Sequence, residues 1–197
     1  GSKRGRRPMQ KQPYQYEKLN SFYQSVNKLM ASDATWYERG FLLSALYLYL
    51  TYTEAQVRIF EENNTSELNK LASSDHPKYS DMQYKIFSSA ISTYAFMASC
   101  LKFGEKLIEL KKWNKWITDI KEKRHRLSGH PDEKYGEKIV AHKRSSLSSG
   151  GEVRFNIVDI ERKGRSYTLI LNARKDFELL LEWVNDVVKQ LRIDWKI

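Results

Sequence analysis

Leu19, Phe22, Tyr23, Val26, Leu29 and Met30 recur at steps of three and four residues, the period of a helix with one buried face. Ser32 or Asp33 is placed to cap a second helix, from about Thr35 to Glu62. Its Phe41–Leu50 centre is apolar on nearly every side, which predicts burial in the middle of a bundle. Asn63 to Tyr79, with Asn-Asn, Ser-Ser-Asp and His76-Pro77, reads as a long connection with room for a short helix. Asp81 then opens a run in which Met82, Ile86, Ser89, Ala90, Thr93, Met97 and Leu101 keep the helical period, and Gly104 marks a bend or interruption.

The next helix carries an apolar stripe of Leu110, Trp113, Ile117 and Ile120, and the same spacing continues through Arg124 to Leu127. Arg124 is thereby expected on the buried face. Ser128-Gly129 is a stop signal, and Pro131 holds His130 extended just past the helix end. Asp132 to Gly151 is polar and ends in Ser145-Ser146-Leu147-Ser148-Ser149-Gly150-Gly151, the composition of a flexible loop. Val153, Phe155 and Ile157 alternate, as do Tyr167, Leu169 and Leu171, and Lys163-Gly164 lies between them, so a β-hairpin is predicted. The consecutive Ile157-Val158 predicts a bulge. Phe177, Leu180, Leu181, Val184, Val188 and Leu191 mark one face of a last helix. The fold class is mainly α: a bundle of four to five long helices with a β-hairpin inserted before the last one.

Composition supports one core. The 197 residues suit a single domain over 15–197, and 9 Gly and 4 Pro are too few for a turn-rich β protein. One cysteine, Cys100, excludes an intramolecular disulfide and favours a reducing, cytoplasmic setting. The net charge of +10 points to an anionic partner, but Lys3, Arg4, Arg6, Arg7 and Lys11 put half of it into the first residues. Residues 1–14 are expected to be a basic disordered tail, beginning in a Gly1-Ser2 cloning remnant, with a nucleic-acid or localisation role as the alternative. The densest apolar stretch, Phe41–Leu50, is about half the ~20 residues that span a bilayer, so no membrane partner is expected.

Arg124, His125 and His130 stand in Lys123-Arg124-His125-Arg126-Leu127-Ser128-Gly129-His130-Pro131. This segment resembles the HEPN superfamily, whose pattern is an Arg, usually followed by a polar residue, with a His four to six residues on. The resemblance implies a HEPN-like bundle and a metal-independent, cofactor-free endoribonuclease of toxin or defence type. It also implies a site shared across a homodimer, and an antitoxin or larger complex as a further protein partner. The alternative is a non-catalytic HEPN-like RNA- or protein-binding module.

The residue types suit that chemistry. Attack by the RNA 2′-hydroxyl needs one proton removed, another delivered to the 5′-oxygen, and positive charge on the phosphorane. Histidine exchanges protons near neutrality, which suits His130 as acid or base, and His125 to orient it or the phosphate. Arg124 can fork two hydrogen bonds onto phosphoryl oxygens. Against this stands the ordinary role of an arginine in a last helical turn, with its stem packed and its head in water.

Arg126 and the run His142, Lys143 and Arg144 are candidate RNA contacts, the alternative for the run being a solvated loop, and Tyr135 is a base-stacking candidate, the alternative being ordinary packing. His125, His130, His142 and Asp132 match no standard metal-ligand spacing, so no metal is expected. Walker, Gly-x-Gly-x-x-Gly and Gly-x-Ser-x-Gly motifs are absent from the sequence.

Overall fold

The first helix, α1 (Tyr14–Ser32), turns Leu19, Phe22 and Val26 into the core, as its spacing predicts. The computed structural model describes residues 14–64, 70, 77–128, 143–147, 152–159 and 165–197. Residues 1–13, His130, Tyr135 and His142 therefore lie outside the described residues, and Tyr14 already belongs to α1.

Of Ser32 and Asp33 it is Asp33 that caps, but it caps a short 3-10 turn rather than the second helix, which starts at Tyr37 after Trp36 with no side-chain cap. The Asp33 carboxylate accepts from the Thr35 amide at 2.9 Å, a bond that holds the Asp33 pKa below its usual value. The turn, Ala34–Trp36, leads into α2 (Tyr37–Asn63). α1 and α2 approach closely at Gly40, where a Cβ would fall 2.0 Å from Met30 Sδ.

The expectation that the Phe41–Leu50 centre of α2 lies buried in the middle of the bundle holds on one side only. Leu43, Leu46, Leu50, Val57 and Phe60 are buried, but Phe41, Tyr47, Leu48, Tyr52 and Ile59 are exposed. α1, α3 and α5 pack against α2 and leave its outer side bare, so a stretch apolar on nearly every side keeps an apolar face outward.

α3 (Pro77–Leu107) starts four residues ahead of Asp81, on a proline whose missing N–H would have no helical partner there. It is long and apolar enough to cross a bilayer, with a window of mean hydropathy 1.2, 44% of which is buried inside the protein. Cys100 Sγ lies 3.6 Å from the Leu46 carbonyl where α3 packs on α2, and burial pushes its thiol pKa well up. Gly104 does not interrupt the helix. A Cβ there would fall 2.2 Å from Trp183 Cη2, so the glycine makes room for an indole of the last helix.

A 3-10 turn, Lys111–Trp113, precedes α4 (Asn114–Ser128), and α5 (Ala173–Trp195) closes the bundle. Asn172 caps α5, its side chain accepting from the Lys175 amide at 3.1 Å. Phe177, Leu180, Leu181, Val184, Val188 and Leu191 are buried as their period predicts, together with Trp183.

Three antiparallel strands, β1 (Lys143–Leu147), β2 (Val153–Asp159) and β3 (Arg165–Leu171), stand in sequence order between α4 and α5. β2 and β3 form the expected hairpin, Val153 opposite Leu171 and Ile157 opposite Tyr167. Two corrections follow. The register is unbroken through Ile157-Val158, and the irregularity lies in β1, between Arg144 and Ser146. Within the segment expected to be all loop, residues 143–147 pair with β2 as an edge strand, because neighbouring backbone can recruit polar residues that show no alternation. Val153, Leu169 and Leu171 join the core cluster of the helices.

Candidate functional site

α4 is held at three levels along its length. At its start, Trp113 Nε1 donates to Asp186 Oδ2 at 2.9 Å, and Lys112 Nζ lies 2.7 Å from the same oxygen. Burial works against the Asp186 carboxylate, yet these two donors outweigh it and its pKa falls below the usual value. Midway, Lys121 reaches Glu105 of α3 at 2.8 Å. Near its end, Lys123 reaches Asp176 in the first turn of α5 at 2.9 Å.

This last contact is the centre of a buried polar cluster. Tyr94 of α3, fully buried, donates its hydroxyl to Asp176 Oδ2 at 2.6 Å. The Lys123 ammonium is 5.7 Å from the Tyr94 ring centroid and 2.8 Å from Asp119 one turn earlier. Three helices thus converge on one carboxylate. Burial, then the Asp176 charge, drives the Tyr94 pKa well above its usual value. For Lys123, burial opposes the ammonium, but Asp176 and Asp119 more than offset it and the net pKa rises.

Arg124 lies elsewhere than its spacing implied. It is exposed, and the inward place between Ile120 and Leu127 belongs to Lys123, whose side chain is only 15% accessible. From Ile120 the stripe can continue by three residues or by four, and both Lys123 and Arg124 border it. The Asp176 carboxylate, on a helix 53 residues away in sequence, decides which cation turns inward.

Among the described residues Arg124 forms no hydrogen bond or ion pair. His125 beside it is exposed, and Arg126 pairs with Glu122 one turn back. The final turn therefore carries a guanidinium and an imidazole at a helix C-terminus, where the dipole favours positive charge. Lys143 and Arg144 sit on β1, Arg144 at the register shift. The structure brings Arg124, His125 and Arg126 together on one turn.

Lys123, Asp176 and Tyr94 were not among the residues singled out from the sequence. The i,i+4 pair Asp119–Lys123 and an aspartate in the first turn after Asn172 were the available signals. A cleft of about 510 Å³ at the opposite end of α4 is lined by Leu110, Lys111, Lys112, Asp186, Lys189 and Gln190. No family model, curated protein or solved structure matches the chain.

Proposed function

We propose that the chain is a HEPN-like, metal-independent endoribonuclease of toxin or defence type, acting in the cytoplasm through an Arg/His site shared across a homodimer. The observation that carries the reading is the division of labour on α4: Lys123 takes the buried ion pair, which leaves the neighbouring Arg124 guanidinium exposed beside His125. An arginine that packing does not use is available for a phosphate.

In the proposed reaction the 2′-oxygen of a ribose attacks the adjacent phosphorus and the bond to the 5′-oxygen breaks. One histidine accepts the 2′-hydroxyl proton and another delivers a proton to the leaving 5′-oxygen; His130 and the partner copy's equivalent fill these roles. Arg124 binds the phosphoryl oxygens as charge accumulates on them. His125 orients the phosphate, and Arg126, Lys143 and Arg144 lie along the RNA path.

The test is incubation of labelled RNA with the protein in EDTA, beside Arg124→Ala and His130→Ala. The reading expects a 2′,3′-cyclic phosphate end from the unaltered chain and at least a hundredfold less from either variant. Cleavage undiminished in the folded variants overturns it.

A second reading rests on the exposure of Arg124. A guanidinium on an open helix surface, rather than turned inward toward a cleft, suits a module that grips an anion without cutting it. RNA binding that weakens steeply with salt, without product, is the result that selects it.

A further inference from the structure

We propose that the outer face of α2 is the seam of a homodimer, in which two copies of the helix pack antiparallel about a twofold axis level with Leu50. The ribonuclease reading also needs a second copy, so mass alone does not separate the two: a dimer that survives Leu48→Asp and Phe41→Asp overturns the seam on α2 and leaves the site on α4 standing.

Phe41, Ala45, Leu48, Tyr52, Ala55 and Ile59 follow one another at steps of 4, 3, 4, 3 and 4 residues, the heptad spacing of a knobs-into-holes seam. The large members face solvent: Phe41 is 74% accessible, Leu48 45%, Tyr52 43% and Ile59 37%. They span ~27 Å of helix. Their exposed apolar surface is on the order of 500 Å² per copy, at the upper end of what a monomer leaves bare. With Tyr37 and the flanks it approaches the ~800 Å² per partner of a stable interface.

The pattern reads the same in both directions. Phe41 and Ile59 lie equally far from Leu50 along the chain, as do Ala45 and Ala55, and as do Leu48 and Tyr52. An isologous antiparallel contact demands this self-complementarity, because each residue meets its mirror position in the other copy. Large would meet large, and alanine would meet alanine where the backbones come closest.

Charge narrows the occupant. Phe41 to Thr53 contains no charged residue, and neither does Ile86 to Leu101 of α3, whose Phe96 packs 5.4 Å from Tyr52 at the seam's edge. The margins of α2 carry Glu38, Glu54, Glu61 and Glu62 against Arg39 and Arg58, with no lysine. Both arginines are engaged within the chain, Arg39 over the Trp36 and Trp195 rings and Arg58 with Glu54. Helices that lie on membranes are rich in Lys and Arg on their polar face, and nucleic acid repels carboxylates. A second copy meets the uncharged centre with an uncharged centre, and at the ends of the seam Arg39 lies level with Glu61 while Glu38 lies level with Glu62.

Sedimentation equilibrium of the full chain at micromolar concentration, without RNA, tests the seam. The expected mass is twice the 23.3 kDa of one chain. Leu48→Asp and Phe41→Asp alter exposed positions, so circular dichroism should stay unchanged while dimer dissociation rises at least a hundredfold. Glu38→Lys reports orientation. In the antiparallel register the new ammonium faces Glu62 of the other copy and tightens the dimer several-fold. A parallel seam would set two ammonium groups together, and a weaker or unchanged dimer overturns the arrangement. A chain that stays at 23.3 kDa up to 100 µM, or one that co-sediments with phosphatidylserine vesicles instead of dimerising, overturns the proposal.

Discussion

Lys123 of α4 and Asp176 of α5 are joined by a 2.9 Å ion pair with side chains 15% and 8% accessible, and the oxygen they share also accepts the Tyr94 hydroxyl. Two donors from different helices thus depend on one carboxylate. Asp176→Ala leaves a buried ammonium and a buried hydroxyl without that acceptor, and is expected to cost about 3 kcal/mol. Tyr94→Phe removes one donor and leaves the ion pair intact, at about 1 kcal/mol. Urea unfolding followed by circular dichroism gives both numbers. Equal losses would show that the carboxylate is not the hub.

The same cluster weakens the fold in alkali, as does the buried Tyr16 beside Glu54. Lys123 and Tyr94 both have pKa values raised by folding, so the native chain holds their protons more tightly than the unfolded one. Their stabilisation is complete below the unfolded values, about 10, and is lost as pH rises past them toward the folded values. The urea midpoint should fall between about pH 10 and 11.5, and less steeply in Tyr94→Phe. A midpoint that rises over this range contradicts the cluster.

Gly104 and Trp183 form a matched pair. Alanine ordinarily stabilises a helix by about 1 kcal/mol over glycine, but Gly104→Ala is expected to destabilise by about 2 kcal/mol, because its Cβ would overlap the indole. In a Trp183→Phe background, where the smaller ring leaves space, Gly104→Ala should cost much less. Thermal unfolding of the four chains measures the coupling.

Arg124 and Lys123 should separate cleanly on mutation. Arg124→Ala removes an exposed side chain and should change stability by less than about 0.5 kcal/mol, whereas Lys123→Ala strands Asp176 and should cost about 2–3 kcal/mol. RNA cleavage or binding should fall with Arg124→Ala at constant fold. A stability loss as large as that of Lys123→Ala would mean that Arg124 is structural.

The two indoles beside the α4 start offer a further contrast. Trp113 Nε1 donates to Asp186, whereas Trp116 Nε1 is buried without a hydrogen-bond partner among the described residues. Trp113→Phe is expected to cost about 1 kcal/mol more than Trp116→Phe, since only the first gives up a bond and strips a donor from a carboxylate. Chemical denaturation with far-ultraviolet detection orders them, and the reverse order would discount the Trp113–Asp186 bond.

By itself the sequence determined the elements that repeat a period against one large core. The steps of three and four in α3 and α5 mark faces that are buried as they read, those in α1 bury Leu19, Phe22 and Val26 and leave Tyr23, Leu29 and Met30 half-buried, and the alternation of Val153, Phe155, Ile157 with Tyr167, Leu169, Leu171 matches the β2–β3 register. Burial along one face leaves its period in the residues because each apolar side chain answers to the same neighbour.

Only the tertiary structure decided what depends on where neighbours stop or which of two adjacent residues they meet. The Phe41–Leu50 centre of α2 is apolar on nearly every side, so its composition could not say that Phe41 and Leu48 would stay exposed while Leu43, Leu46 and Leu50 are buried. β1 has no alternation to read, and it forms because β2 presents an unpaired edge. At the end of α4, Lys123 and Arg124 border the same stripe one residue apart, and the period allows either to turn inward. The choice falls to Asp176 and Tyr94, distant in sequence and adjacent in space, because a carboxylate that has lost its water must be given a cation and the nearer ammonium supplies it.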